Sequence, residues 1–180
     1  MTFPHLLIRT LFLTALISYA MDIKVPKLHP EHRGVDPEIA PYVDDWLYLA
    51  RGRGLRFDKA VTVGFKDMGS GTVVGVTTYG YGFREIDIDE NYWHSSTSLG
   101  KAAVLWHELG HAYCHRDHDY GDGTKYGDAE SARKDPNKKD GFYEDGCPIT
   151  LLFPEVVEDD CFEKYYEGYV SELYNRCVPY

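Results

Sequence analysis

The segment AAVLWHELGHAYCHRDHDY holds four of the chain's eight histidines, His107, His111, His115 and His118, with Glu108 and Asp117 among them. On a helix, residues four apart project from nearly the same face, so His107 and His111 can reach one ion from one side. Glu108 stands about 100° around the helix from His107. It can touch a water at that ion without taking a ligand position. H-E-x-x-H is, mechanically, two metal ligands and a general base, the arrangement of a zinc hydrolase. The commonplace alternative is a solvated helix that happens to be rich in histidine. The apolar residues 102–106 immediately ahead of His107 weigh against it.

A catalytic zinc takes three protein ligands and keeps one position open for water. On a continuous helix His115 lies roughly 12 Å from His107 along the axis, too far to share the ion, and it is expected to be a solvated side chain. The third ligand should therefore follow a turn of the chain. Histidine and aspartate tolerate positive φ better than most residues, so this stretch can turn without glycine. His118 is the expected third ligand, because neutral imidazole is the commonest zinc ligand. Asp117 is the alternative, or else a carboxylate that orients a ligand from behind.

These residues need elements to hold them. Asp36-Pro37 has the pattern of a helix start, and Ile39, Val43, Trp46, Leu47 and Ala50 then repeat at helical spacing until the glycines of RGRG. AVTVGFKD and GTVVGVTTYG are rich in β-branched residues and bounded by glycine, as strands are. REIDIDENYW alternates, with Ile86 and Ile88 on one face and Glu85, Asp87 and Asp89 on the other, as a half-buried strand does. Residues 95–98 offer several N-caps for the apolar motif helix. Residues 118–146 form a polar, glycine-rich loop. CPITLLFP reads as a buried turn or short strand, and CFEKYYEGYVSELYNRC as a closing helix. No internal repeat is present.

With 180 residues, the chain is one domain's worth. A net charge of -10 excludes nucleic-acid binding through a basic surface. The N-terminus has the form of a secretory signal peptide: Arg9, an apolar run over residues 10–17, then Ser18-Tyr19-Ala20 before a cut. That run is short of the roughly 20 residues a membrane span needs, and no later segment is apolar enough. Residues 21–35 would be an extended lead-in or short pro-segment, with residues 36–180 the domain. Four cysteines in an exported chain favour two disulfides. Cys161 and Cys177 would stand roughly 24 Å apart at the ends of one helix, beyond bonding reach unless the helix breaks at Gly168. The other two pairings of Cys114, Cys147, Cys161 and Cys177 stay open.

With these motifs in place, the chain resembles the metzincin clan of zinc peptidases, and within it small exported bacterial proteins carrying HELGH-x6-H. VDPEIAPYVDDWLYLARGRGL is similar to their first helix, REIDIDENYW to the strand before the active helix, and HELGHAYCHRDHD to the zinc helix. GCPITLLFP is similar to their Met-turn segment and CFEKYYEGYVSELY to their closing helix. The resemblance implies an α+β, zincin-like fold: an N-terminal helix, a small mixed sheet, the active-site helix, a buried Met-turn-like segment and a C-terminal helix. The usual clan pattern is H-E-x-x-H-x-x-G-x-x-H. Here Cys114 stands at its glycine, Asp117 at its third histidine, and Leu152 at the Met-turn methionine. The snapalysins of the clan use aspartate at the Asp117 position. A β-carbon at Cys114 disfavours the left-handed conformation, which moves the turn later and favours His118. Leucine is close to methionine in volume, so the change at Leu152 should be mild.

The expected function is a secreted or periplasmic zinc endopeptidase acting on a peptide or protein substrate. It would carry one Zn2+ on His107, His111 and His118, use Glu108 as general base, and work as a monomer with no nucleic acid and no stable membrane span. Two alternatives remain. One is a zincin-like zinc-binding or adhesion protein that does not cleave, against which the intact Glu108 argues. The other is a gluzincin-type peptidase with a downstream glutamate, nearest Glu130, as third ligand. Fifteen tyrosines leave no basis for choosing one as an oxyanion partner.

Overall fold

A computed structural model of the chain describes residues 34–57, 60–69, 71–119 and 141–178. The expected signal peptide (residues 1–20), nearly all of the lead-in and Glu130 lie outside the described residues.

Among the described residues the chain forms five helices and one three-stranded sheet, an α+β arrangement. Helix α1 spans Ala40–Gly52. Asp36-Pro37 does not open it directly. The Asp36 carboxylate accepts from the Glu38 amide at 2.9 Å, and its carbonyl accepts from Ile39 and Ala40, so a capped turn leads into the helix. The apolar stripe expected from the sequence is buried: Val43, Trp46, Leu47 and Ala50.

Strands β1 (Thr62–Lys66), β2 (Gly75–Gly80) and β3 (Phe83–Asp89) form a mixed sheet in the order β1-β3-β2. β1 runs parallel to β3 with Val63 opposite Ile86, and β2 runs antiparallel to it with Thr77 opposite Ile86. The alternation in β3 holds through Ile86 and Ile88, both buried. It does not continue through ENYW, which was expected to extend the strand. The Asp89 carboxylate accepts from the Tyr92 amide at 2.7 Å and caps helix α2, Glu90–Ser95. A side-chain oxygen at this position serves the free amides of a first helical turn better than a strand could.

Helix α3, Ser98–Cys114, starts at Thr97, whose hydroxyl accepts from the Gly100 amide at 3.1 Å. It is buried on nearly every side, as its scarcity of charge requires. α3 packs against α1, β2 and β3. Core residues from α1 (Trp46), the sheet (Ile86, Ile88) and α3 (Leu105, Leu109, Tyr113) join those of the closing helices. Trp46 stacks on Tyr113 with ring centroids 5.2 Å apart, and the Tyr174 hydroxyl donates to the Trp46 carbonyl at 2.7 Å.

The closing helix is two helices, α4 (Asp159–Lys164) and α5 (Tyr166–Asn175), broken at Tyr165 rather than at Gly168. Gly168 lies inside α5, where a Cβ would stand 3.0 Å from the Tyr143 hydroxyl. The glycine admits a close neighbour and does not break the helix. Tyr165 stacks on Tyr143, with ring centroids 3.6 Å apart. Cys114 pairs with Cys177 and Cys147 with Cys161, which selects one of the two open pairings. The first closes 63 residues of sequence and ties the end of α3 to the chain after α5.

Candidate metal centre

α3 carries His107 and His111 one turn apart and ends at His115, the C-cap, which takes a left-handed conformation at φ 50°. It is the one non-glycine residue with positive φ among the described residues. That conformation ends a helix and reverses the chain. It therefore brings the following tripeptide back toward the helix, and His118 arrives beside the motif histidines. The turn is made at His115 without glycine, as histidine's tolerance of this region allows.

Three imidazoles meet there. His111 Nε2 lies 2.9 Å from His107 Nε2, which lies 3.1 Å from His118 Nε2. The three ligand atoms all fall within 4.8 Å of one another, a group able to hold a metal ion. Their other nitrogens decide what those contacts are. His107 Nδ1 donates to the Leu151 carbonyl at 2.6 Å, and His111 Nδ1 donates to the Arg116 carbonyl at 2.5 Å. A carbonyl only accepts, so each Nδ1 carries the proton and each neutral ring presents a bare lone pair at Nε2. Two lone pairs at 2.9 Å repel unless a cation lies between them. Nitrogens about 2.0–2.1 Å from a tetrahedral zinc stand roughly 3.3 Å apart. The His107–His111 and His107–His118 separations are a few tenths of an ångström shorter, and the group as a whole could hold a metal ion.

Electrostatics keep the rings in the ligand form. Burial pushes His107 down to about 3, with the neighbouring His118 adding to the shift. Burial and His107 push His111 down to about 4. His118, half-buried, is also lowered by burial. Neutral imidazole is what a metal binds.

Glu108 is buried on the sheet side of α3. The Thr77 hydroxyl of β2 lies 2.6 Å from Glu108 Oε2, to which it donates. Gly75, two residues back on the same face of β2, leaves the space: a Cβ there would lie 2.6 Å from Glu108 Oε1. Burial raises the Glu108 carboxyl above its usual range, against the pull of His111 and Thr77.

Of the residues singled out from the sequence, His107, His111 and His118 come together, with Glu108 following His107 on α3. Asp117 is exposed and stands outside the three-histidine group. His115 is half-buried rather than solvated. Its left-handed turn lays the ring against Tyr79, centroids 5.6 Å apart, and the buried Arg84 donates to its Nε2 at 3.2 Å. Leu152 is buried against the motif helix, where a Cβ at Gly110 would lie 2.9 Å from its Cδ2. Thr77, Gly75 and the carbonyls of Leu151 and Arg116 have no signature in the sequence. The nearest to one is the alternation of β2, which sets Gly75 and Thr77 on one face.

No family model matches the chain, and no curated protein or solved structure matches it either. Its own residues therefore carry the functional reading.

Proposed function

We propose that the chain is an exported zinc endopeptidase of the metzincin kind, with His107, His111 and His118 as metal ligands and Glu108 as general base. The observation that carries this reading is the convergence of three imidazole Nε2 atoms, two of them with Nδ1 committed to a carbonyl, one residue from a buried carboxylate. Three histidines meet the ligand number of a catalytic zinc without a glutamate such as Glu130. A mixed sheet over a buried motif helix, a buried segment through Leu152 and a closing helical pair supports a zincin-type architecture. The two disulfides favour an oxidising compartment. No helix among the described residues is long and apolar enough to cross a membrane.

Zinc at such a site supplies Lewis acidity, to an attacking water and to the scissile carbonyl. The chain's own groups do the rest. The Leu151 and Arg116 carbonyls hold His107 and His111 in the tautomer that leaves Nε2 unprotonated. Glu108 takes the water's proton and returns it to the leaving amine. Thr77 donates to Oε2 and so fixes the orientation of the carboxylate. Burial strengthens Glu108 as a base by raising its affinity for that proton.

The test compares wild type with Glu108→Gln for zinc content and for hydrolysis of an unfolded protein substrate. Wild type should hold one zinc and cleave; Glu108→Gln should hold zinc and cleave at a rate lower by orders of magnitude. Zinc in both with cleavage by neither would favour a zinc-binding or adhesion protein. Wild type that takes up no zinc would end both readings.

A further inference from the structure

The two carbonyls that orient His107 and His111 come from segments far apart in sequence, residues 116 and 151. Something must fix those segments relative to each other. One carboxylate reaches both. Glu172 of α5 accepts from Arg116 Nη2 at 2.6 Å with Oε1, and from the Thr150 hydroxyl at 2.9 Å with Oε2. Arg116 carries the carbonyl that holds His111. Thr150 immediately precedes Leu151, whose carbonyl holds His107, and its hydroxyl also accepts from the Leu152 amide at 3.1 Å.

The same cluster frames His118. Arg116 Nη2 also donates to Asp119 Oδ2 at 2.6 Å, and the Asp119 amide donates to the Leu152 carbonyl at 2.9 Å. The four residues 116–119, which contain His118, are thus fastened at both ends. Arg116 and Asp119 have side chains only 7% exposed, and Glu172 16%. Hydrogen-bonded charges buried this far are held in one geometry, and removing one partner strands the other.

We propose that Glu172 is a positioning residue of the metal centre: by bridging Arg116 and Thr150 it sets the carbonyls that aim His107 and His111, and the frame that presents His118. The proposal rests on the reading of the three histidines as metal ligands. Glu172 touches none of them. Its role passes through the peptide groups it holds in place, as outer partners of metal ligands commonly act.

The probe is Co2+ added to the disulfide-bonded chain, read by its visible ligand-field spectrum and by titration. Glu172→Gln keeps the side-chain shape but has one acceptor oxygen where two are needed. Thr150→Val removes only the hydroxyl and leaves the Arg116–Glu172 pair, so it remains informative if Glu172→Gln does not fold. Each variant should weaken Co2+ binding about 10- to 100-fold and change the spectrum, with both disulfides formed. A cluster that serves only stability would lower the melting temperature and leave the Co2+ dissociation constant and spectrum at wild-type values. That outcome, in either variant that folds, overturns the proposal while the metal site stands. If wild type binds neither Co2+ nor Zn2+, the ligand assignment and this proposal fall together.

Discussion

The two sides of α3 hold their functional groups by different means. Toward the sheet, Glu108 meets one neutral hydroxyl, Thr77, and a space left by Gly75. Toward the C-terminal segments, His107 and His111 each donate to a carbonyl. Those carbonyls sit in a network of Arg116, Asp119, Glu172 and Arg176. The contrast follows from what each group has to do. A base must gain and lose a proton, and a fixed charge beside it would favour one state. A ligand must stay neutral and aimed. Burial keeps the rings neutral, against the carbonyls' own pull, and a carbonyl at Nδ1 aims each ring and admits only one neutral tautomer.

The largest effects should come from breaking the histidine side. His107→Ala, His111→Ala and His118→Ala should each abolish stoichiometric zinc, as measured by elemental analysis and by competition with a chelator. Asp117→Ala should weaken zinc binding only about 10- to 100-fold, as changes at residues that orient a ligand do. Loss of zinc from Asp117→Ala and its retention in His118→Ala would move the third ligand to the carboxylate.

Breaking the sheet side should separate activity from metal. Gly75→Ala places a methyl group where Glu108 Oε1 lies, at 2.6 Å, so the carboxylate must shift. A displacement of about 1 Å in a catalytic group can cost about 10²-fold in rate. Gly75→Ala should therefore lose about that much turnover and still bind zinc as wild type does. A variant with wild-type turnover would show that Glu108 can move without consequence.

The two sides should also oppose each other in acid. His107 and His111 have folded values of about 3 and 4, below the ordinary 6.5. Between those limits the unfolded chain binds more protons, so stability rises with pH. The contribution is complete above about 6.5 and is lost as pH falls through about 4 and then 3. Glu108 has the reverse sign: its folded carboxyl is raised, so its contribution is present below 4.5 and fades as pH climbs through the folded value. In denaturant unfolding of the zinc-free chain from neutral pH toward pH 4, the two histidines should lower stability while the one carboxyl opposes them. Glu108→Gln removes the opposing group, and its dependence on pH should be steeper. A slope unchanged by Glu108→Gln would mean that Glu108 titrates alike in both states.

What was legible in the sequence divides along the same line. The i, i+4 spacing of His107 and His111 and the return of His118 to their side depend on local geometry, and local geometry is written in adjacent residues. The apolar stripe of α1 and the alternation of β3 are legible for the same reason. The partners are not. Thr77 lies 31 positions from Glu108, and Glu172 lies 56 from Arg116. Such pairs are fixed by how elements pack, and no short pattern marks them. The disulfides show the boundary: helix rise could disfavour Cys161–Cys177, but choosing between the remaining pairings needed the approach of α5 to the end of α3. The single closing helix expected from the sequence is interrupted at Tyr165, while Gly168, the one place where the sequence offers a break, stays helical and makes room for Tyr143.

The smallest effect should come from Thr77. Thr77→Val keeps the β-branched shape that suits a strand and removes one hydroxyl. That hydroxyl has a single hydrogen and two acceptors nearby, Glu108 Oε2 at 2.6 Å and the Glu108 carbonyl at 3.0 Å. Two consequences of its loss run against each other. The carboxylate loses a bond that orients it, worth about 1.5–3 kcal/mol when the acceptor is charged. It also loses a donor that lowers its proton affinity, which makes it a stronger base. The net fall in kcat should be about tenfold or less, with KM and zinc affinity unchanged, and Thr77→Ser should restore most of the rate. Steady-state kinetics on the three proteins, with zinc content measured in parallel, decide the matter. If Thr77→Val sheds zinc, or if Thr77→Ser fails to recover the rate, then Thr77 supports the packing of β2 on α3 rather than the base. The contrast between the two sides of the helix would then rest on Gly75 alone.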